Sequence, residues 1–184
     1  VSLASGLAAI HEHGIIHRDL KPENVIWDGQ WARLVDFGLA DRFESQEAEI
    51  VGTLAFSAPE QTGMLNRTVD HRADLYGLGC VLFRCLTGQT PFVESDPQQL
   101  MRAHVSQKPP DISQIVPEVS EEFREVIRRL LAKEPSDRYP TAGDVVGRLD
   151  EIGASVEAIP GPKVHRTWVD RQDDETSGIG TLRS

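Results

Sequence analysis

The stretch from Asp70 to Thr87 most constrains the fold of this chain. Tyr76, Leu78, Cys80, Val81, Leu82, Phe83 and Leu86 leave it almost no polar face, and Gly88 follows as a stop. A helix that is apolar all round has to be surrounded by other elements, so this segment predicts the buried axis of a helical domain. One carboxylate, Asp74, interrupts it. A lone carboxylate in such surroundings must be hydrogen-bonded.

The neighbouring segments supply the layers around that axis. Val1, Leu3, Leu7, Ala8 and Ile10 form an apolar stripe over residues 1–13 that ends near Gly14, a natural helix stop. The stripe has no cap before it, which suggests that an N-terminal part is absent. Val25-Ile26-Trp27, the turn Asp28-Gly29-Gln30, and Arg33-Leu34-Val35 read as a small β-hairpin. Residues 39–57 are polar and acidic without sustained period, and predict a loop. A helix is expected from Asp96 to Val105. Val119, Phe123, Val126, Ile127, Leu130 and Leu131 predict another, with Glu121 and Glu122 in its first turn. Thr141-Ala142-Gly143-Asp144 looks like a capping box opening a last helix to Ile152. Residues 153–184, interrupted by Pro160, Gly161 and Pro162 and polar from Asp170, read as a linker or disordered tail after a domain of residues 1–152.

The 184 residues suffice for one core. A net charge of −10 argues against nucleic acid or an anionic membrane as partner. No apolar run is long enough to span a bilayer, and no signal peptide is visible. Cys80 and Cys85 share one helical stretch and cannot face each other there, so two buried thiols in a reduced cytoplasm are expected.

The chemistry is concentrated in His17-Arg18-Asp19-Leu20-Lys21-Pro22-Glu23-Asn24 and, a dozen residues later, Asp36-Phe37-Gly38. An Asp and an Asn on one short loop, then a second Asp after a hairpin, provide what phosphoryl transfer from a Mg-nucleotide needs: positioning and charge neutralisation. Taken singly, Asp19 would be a turn residue, Asn24 a cap and Asp36 an Asx turn. Together and in this order they resemble the catalytic half of a eukaryotic-type protein kinase.

The resemblance covers residues 1–152. It implies a mainly α, kinase-like C-terminal lobe with a small β-hairpin at the catalytic cleft and no β-rich N-terminal lobe. Asp19 then corresponds to the catalytic base, and Lys21 to the lysine that offsets charge on the transferred phosphoryl. Asn24 corresponds to a Mg2+ ligand that braces the loop, and Asp36 to the principal Mg2+ ligand of ATP. Asp-Leu-Lys-Pro-Glu-Asn is similar to serine/threonine rather than tyrosine kinases, and Thr53 before Ala58-Pro59-Glu60 is expected to reach Asp19 and Lys21. Glu60 implies a buried pair with Arg138. Asp74 implies an acceptor for backbone N–H groups around His17 and Arg18.

Arg18 before the catalytic Asp resembles kinases whose activation loop is ordered by a phosphate, with Ser45 and Thr53 as candidate acceptors and Ser57 a third. Two readings of Glu44, Glu47 and Glu49 stay open: one of them pairs with Arg18 in place of that phosphate, or all three are solvated loop charges. Gln61-Thr62-Gly63-Met64-Leu65-Asn66-Arg67 is similar to the kinase modules that open large bacterial-type multidomain signalling proteins, which would make 153–184 the link to a following domain. The sequence departs from a whole kinase in lacking a Gly-rich loop, a strand lysine with its helix glutamate, and a hinge. The chain alone is therefore expected to bind ATP poorly and to be inactive in phosphoryl transfer. The expected function is transfer of the γ-phosphoryl of Mg-ATP to protein Ser or Thr hydroxyls. The alternative is a non-catalytic docking or scaffold module, disfavoured by intact Asp19, Asn24 and Asp36. A small-molecule phosphotransferase is disfavoured by Lys21 and the Glu60–Arg138 pair.

Overall fold

A computed structural model describes residues 1–36 and 47–155, with side chains at 47–50 and 154–155 not described. Six helices and one hairpin occur among these residues: α1 (Ser2–Glu12), β1 (Val25–Trp27), β2 (Ala32–Leu34), α2 (Glu47–Leu54), α3 (Arg72–Thr87), α4 (Pro97–Ser106), α5 (Glu121–Leu130) and α6 (Ala142–Ser155).

Helix α3 is the axis. Every residue from Ala73 to Val81 is buried, as is Phe83. Gly88 ends the helix in the left-handed conformation (φ +78°), its N–H bonded to Arg84 O at 2.8 Å. Two glycines let other elements approach closely. A Cβ at Gly79 would lie 2.9 Å from Leu130 Cβ on α5, and one at Gly77 would lie 3.1 Å from Leu20 Cβ. Helix α5 packs on α3, α1 packs on α6 and β2, and α6 also meets α5.

The local reasons for these elements are mostly visible in their ends. Helix α1 closes in a paired C-terminal motif: Gly14 N–H bonds His11 O at 2.9 Å and Ile15 N–H bonds Ile10 O at 3.1 Å, with Gly14 at φ +72°. This turn directs the chain into residues 15–24. Asp96 caps α4 through Gln98 N–H (2.9 Å), and Ser120 caps α5 through Phe123 N–H (3.3 Å). At α6 the capping box is reciprocal: Asp144 N–H reaches Thr141 Oγ1 (3.1 Å) and Thr141 N–H reaches Asp144 Oδ2 (2.9 Å). The hairpin pairs Val25 with Leu34, Ile26 with Arg33 and Trp27 with Ala32.

Three expectations are corrected. Residues 39–57 are not a loop throughout, because α2 occupies Glu47–Leu54. Its Val51 and Leu54 pack against the core and it lies against α4, so tertiary contact stabilises a helix too short to show its period. Cys85 is exposed, and only Cys80 is buried. Helix α6 continues past Ile152 to Ser155: Gly153 does not take the left-handed conformation that stops a helix, and one glycine costs a helix only about 1 kcal/mol.

One buried polar group lies outside any reading above. His104 on α4 has no exposed surface. Its Nδ1 meets the Tyr76 hydroxyl at 3.0 Å, and its Nε2 has no hydrogen-bond partner. Burial, with the Lys133 charge second, pushes its pKa down to about 3. Lys133 itself donates to His104 O at 2.7 Å and sits 4.3 Å above the Phe92 ring. Burial lowers its pKa to about 8.

Candidate active site

The site is assembled where the segment after α1, the hairpin and the end of α2 converge on the N-terminal end of α3. Asp74, in the first turn of α3, organises the first of these. Its Oδ2 accepts from His17 N–H (2.8 Å) and its Oδ1 from Arg18 N–H (2.7 Å). His11 Nε2 donates to the same Oδ2 at 2.7 Å. A carboxylate with 1% exposure is thus surrounded by donors, which is what makes its burial tolerable.

Arg18 is held at φ +65° and Asp36 at φ +61°, both in the left-handed region that non-glycine residues rarely adopt. His17 connects these two strained positions. Its buried ring accepts from Asp19 N–H at Nδ1 (3.3 Å), which leaves Nε2 to donate to Val35 O (3.2 Å), the residue before Asp36.

Asp19, Lys21, Asn24 and Thr53 come together. Asn24 Nδ2 donates to Asp19 O (2.8 Å) and Asp19 Oδ2 (3.2 Å). Lys21 Nζ lies 3.2 Å from Asp19 Oδ2 and donates to Thr53 Oγ1 at 3.1 Å. Thr53 lies in the last turn of α2, so this helix brings its hydroxyl to the loop. Asn24 is buried in a 3-10 turn over Pro22–Asn24, and its carbonyl accepts from Val35 N–H at 3.0 Å. That bond ties the loop to the hairpin and to Asp36, which is exposed.

Among the described residues no group of three His, Cys, Asp or Glu side chains converges as a metal cage. The oxygen atoms that could serve a metal are those of Asn24, an amide oriented through its nitrogen, and of Asp36, a separate carboxylate. Such a sparse oxygen set fits Mg2+, which keeps waters and phosphate oxygens as its remaining ligands.

The remaining predicted residues are placed as follows. Arg138 clasps Glu60 with two bonds, Nη1 to Oε1 at 2.6 Å and Nη2 to Oε2 at 2.9 Å, and both side chains are buried. Arg138 also donates to the carbonyls of Ala132, Lys133 and Arg72, joining the 59–61 turn, the start of α3 and the end of α5. The Arg18 side chain is exposed. Ser45, Phe37, Gly38 and Glu44 lie outside the described residues, as do the side chains of Glu47 and Glu49, the other acids expected beside Arg18. A cavity of about 780 Å³ between residues 106–114 and α5 contains none of the predicted site residues.

Two contributors escaped sequence reasoning. His11 lies on the half-buried side of α1, but nothing local shows that it faces Asp74, 63 residues away. Gln61 bonds Ala58 N–H through Oε1 (3.0 Å) and Arg18 O through Nε2 (2.7 Å). The position follows Ala58-Pro59-Glu60 directly, and its particularity was the only signal.

This fold and this arrangement of loop, hairpin and buried ion pair are those of a protein kinase catalytic lobe. The chain belongs to the protein kinase domain family, whose description it matches over residues 1–147. It is 43% identical over 148 residues to serine/threonine-protein kinase PknE of Mycobacterium tuberculosis, covering 78% of this chain and 26% of that protein. It is 38% identical over 185 residues to PknH of Mycobacterium bovis, covering 97% of this chain and 30% of the relative. With PknB of Mycolicibacterium smegmatis the identity is 39% over 161 residues, 84% of this chain and 25% of the relative. The chain thus spans between a quarter and a third of the length of these curated relatives.

Proposed function

We propose that this chain is the substrate- and metal-binding lobe of a serine/threonine protein kinase. It would act on Mg-ATP and on protein substrates with Ser or Thr acceptors. The observation that carries the reading is the position of Lys21, with Asp19 Oδ2 at 3.2 Å and Thr53 Oγ1 at 3.1 Å. Asp19 orients the acceptor hydroxyl and takes its proton as the oxygen bonds to the γ-phosphorus and the bond to ADP breaks. Lys21 offsets negative charge on the phosphoryl oxygens. Thr53 fixes the acceptor strip against the loop. Asn24 Oδ1 and Asp36 are the atoms assigned to hold Mg2+, which neutralises phosphate charge when bound. Glu60, Arg138 and Asp74 are assigned to scaffold, and Arg18, Thr53 and Ser45 to control of the activation segment.

Residues 1–152 form the lobe in this reading and 153–184 the link onward, with α6 running three residues into it. The proposed location is the cytoplasm; among the described residues no helix is long and apolar enough to cross a membrane. Ile26, Trp27 and Trp31 expose about half or more of their surface on the hairpin. A β-rich nucleotide-binding lobe would cover this face. The same face favours the second reading, in which the lobe docks another polypeptide without catalysis.

The test is phosphorylation of a generic basic protein by a polypeptide that continues upstream of Val1 into a nucleotide-binding lobe. Phosphoserine or phosphothreonine that depends on Mg-ATP is expected. Phosphotyrosine, or binding without transfer, would contradict the serine/threonine reading.

A further inference from the structure

The peptide units on either side of Arg18 are gripped by two different elements. The Arg18 N–H goes to Asp74 on α3 at 2.7 Å, and the Arg18 C=O accepts from Gln61 Nε2 at 2.7 Å. The grip falls on a residue at φ +65°. A left-handed conformation is strained for an ordinary residue, so it persists only where surroundings impose it. The residue that follows is Asp19. Any relaxation of Arg18 would therefore re-aim the carboxylate assigned to the acceptor hydroxyl.

Gln61 is well placed to resist that relaxation. Its Oε1 accepts from Ala58 N–H at 3.0 Å and its Nε2 donates to the Arg18 carbonyl, so both ends of the side chain are committed, and its backbone N–H bonds Ala58 O at 2.9 Å. The turn it stands on, Pro59–Gln61, is fastened by the buried Glu60–Arg138 pair. The side chain needs one acceptor and one donor on a single planar group. Glutamine supplies both, glutamate keeps only the acceptor, and leucine keeps neither.

We propose that Gln61 is a positioning residue for phosphoryl transfer. It clamps the Arg18 carbonyl so that the acceptor-binding segment and the loop bearing Asp19 move as one body. The role in transfer rests on the kinase reading above, whereas the clamp itself does not.

Two variants separate the clamp from the local cap. Gln61→Glu retains the acceptor for Ala58 N–H but faces the Arg18 carbonyl with an oxygen, and Gln61→Ala loses both bonds. In the 184-residue chain, amide hydrogen exchange at Asp19 is expected to quicken about tenfold in both variants, while α3 and α5 amides are unchanged. The Ala58 amide is expected to quicken only in Gln61→Ala. Asp19 exchange in Gln61→Glu as slow as in the unsubstituted chain would overturn the clamp.

In a polypeptide that also carries the nucleotide-binding lobe, both variants are expected to lower kcat about tenfold with the KM for Mg-ATP unchanged. Loss confined to Gln61→Ala, or a change in KM alone, would reduce Gln61 to a cap and overturn the proposal. Absence of transfer by the unsubstituted protein would count against the kinase reading, and the exchange result would still decide the clamp.

Discussion

At the scale of single residues, the buried charges Glu60 and Arg138 dominate. Neither is tolerable alone in the interior, because a desolvated charge without a partner costs several kcal/mol. Arg138→Leu is therefore expected to destabilise the chain by about 3–5 kcal/mol, measured as a lower urea midpoint. His104 makes a second, pH-dependent prediction. Its pKa is about 3 in the folded chain against an ordinary value near 6.5, so between these limits the unfolded chain binds more protons. Stability from this residue is fully present above about pH 6.5 and is lost as pH falls toward 3, by at most about 1.4 kcal/mol per unit. His104→Gln is expected to flatten the acid side of the stability–pH curve relative to the unsubstituted chain. Parallel curves would show that His104 does not remain neutral in the fold. Neither His104 nor His11 was legible beforehand. A histidine in a helix carries no local mark of its partner, and both partners, Tyr76 and Asp74, come from a distant turn of α3.

Elements were legible in proportion to their own periodicity and punctuation. Helix α5 has four apolar positions at helical spacing and a serine cap, and Gly14 and Gly88 stop α1 and α3 where glycine in the left-handed region was needed. Helix α2 was not legible, because its eight residues are too few to show a period behind an acidic start, and among its described side chains Val51 and Leu54 pack against the core. Its stability comes from α4, which no window over 39–57 contains. The packing around helix glycines gives a prediction of opposite signs at one glycine of α3 and one of α6. Gly79→Ala drives a methyl into Leu130 Cβ at 2.9 Å, a side-chain root that cannot rotate away, and is expected to cost about 1–3 kcal/mol. Gly147→Ala at an exposed position of α6 meets nothing within 4 Å and is expected to raise stability by up to about 1 kcal/mol. Thermal unfolding of the two variants checks both.

At the scale of the whole molecule, the lobe serves to hold a short polar loop rigid from several sides. Helix α3 supplies Asp74 to its backbone, His17 and Asn24 tie it to the hairpin, and α2 brings Thr53 to Lys21. The residues assigned to this site were legible because the phosphoryl transfer proposed for them demands an unusual set of side chains in a fixed order. Their supports were less so, since they depend on which elements meet in space. The measurement that tests the central claim most directly is phosphotransfer by Asp19→Asn and Asp36→Ala, each in a polypeptide carrying the nucleotide-binding lobe, with thermal unfolding recorded in parallel. Both are expected to lose activity by about 10³-fold or more while unfolding within a few degrees of the unsubstituted protein. Full transfer by either variant would contradict the assignment of its carboxylate, and full transfer by both would contradict the account of this loop as the catalytic centre.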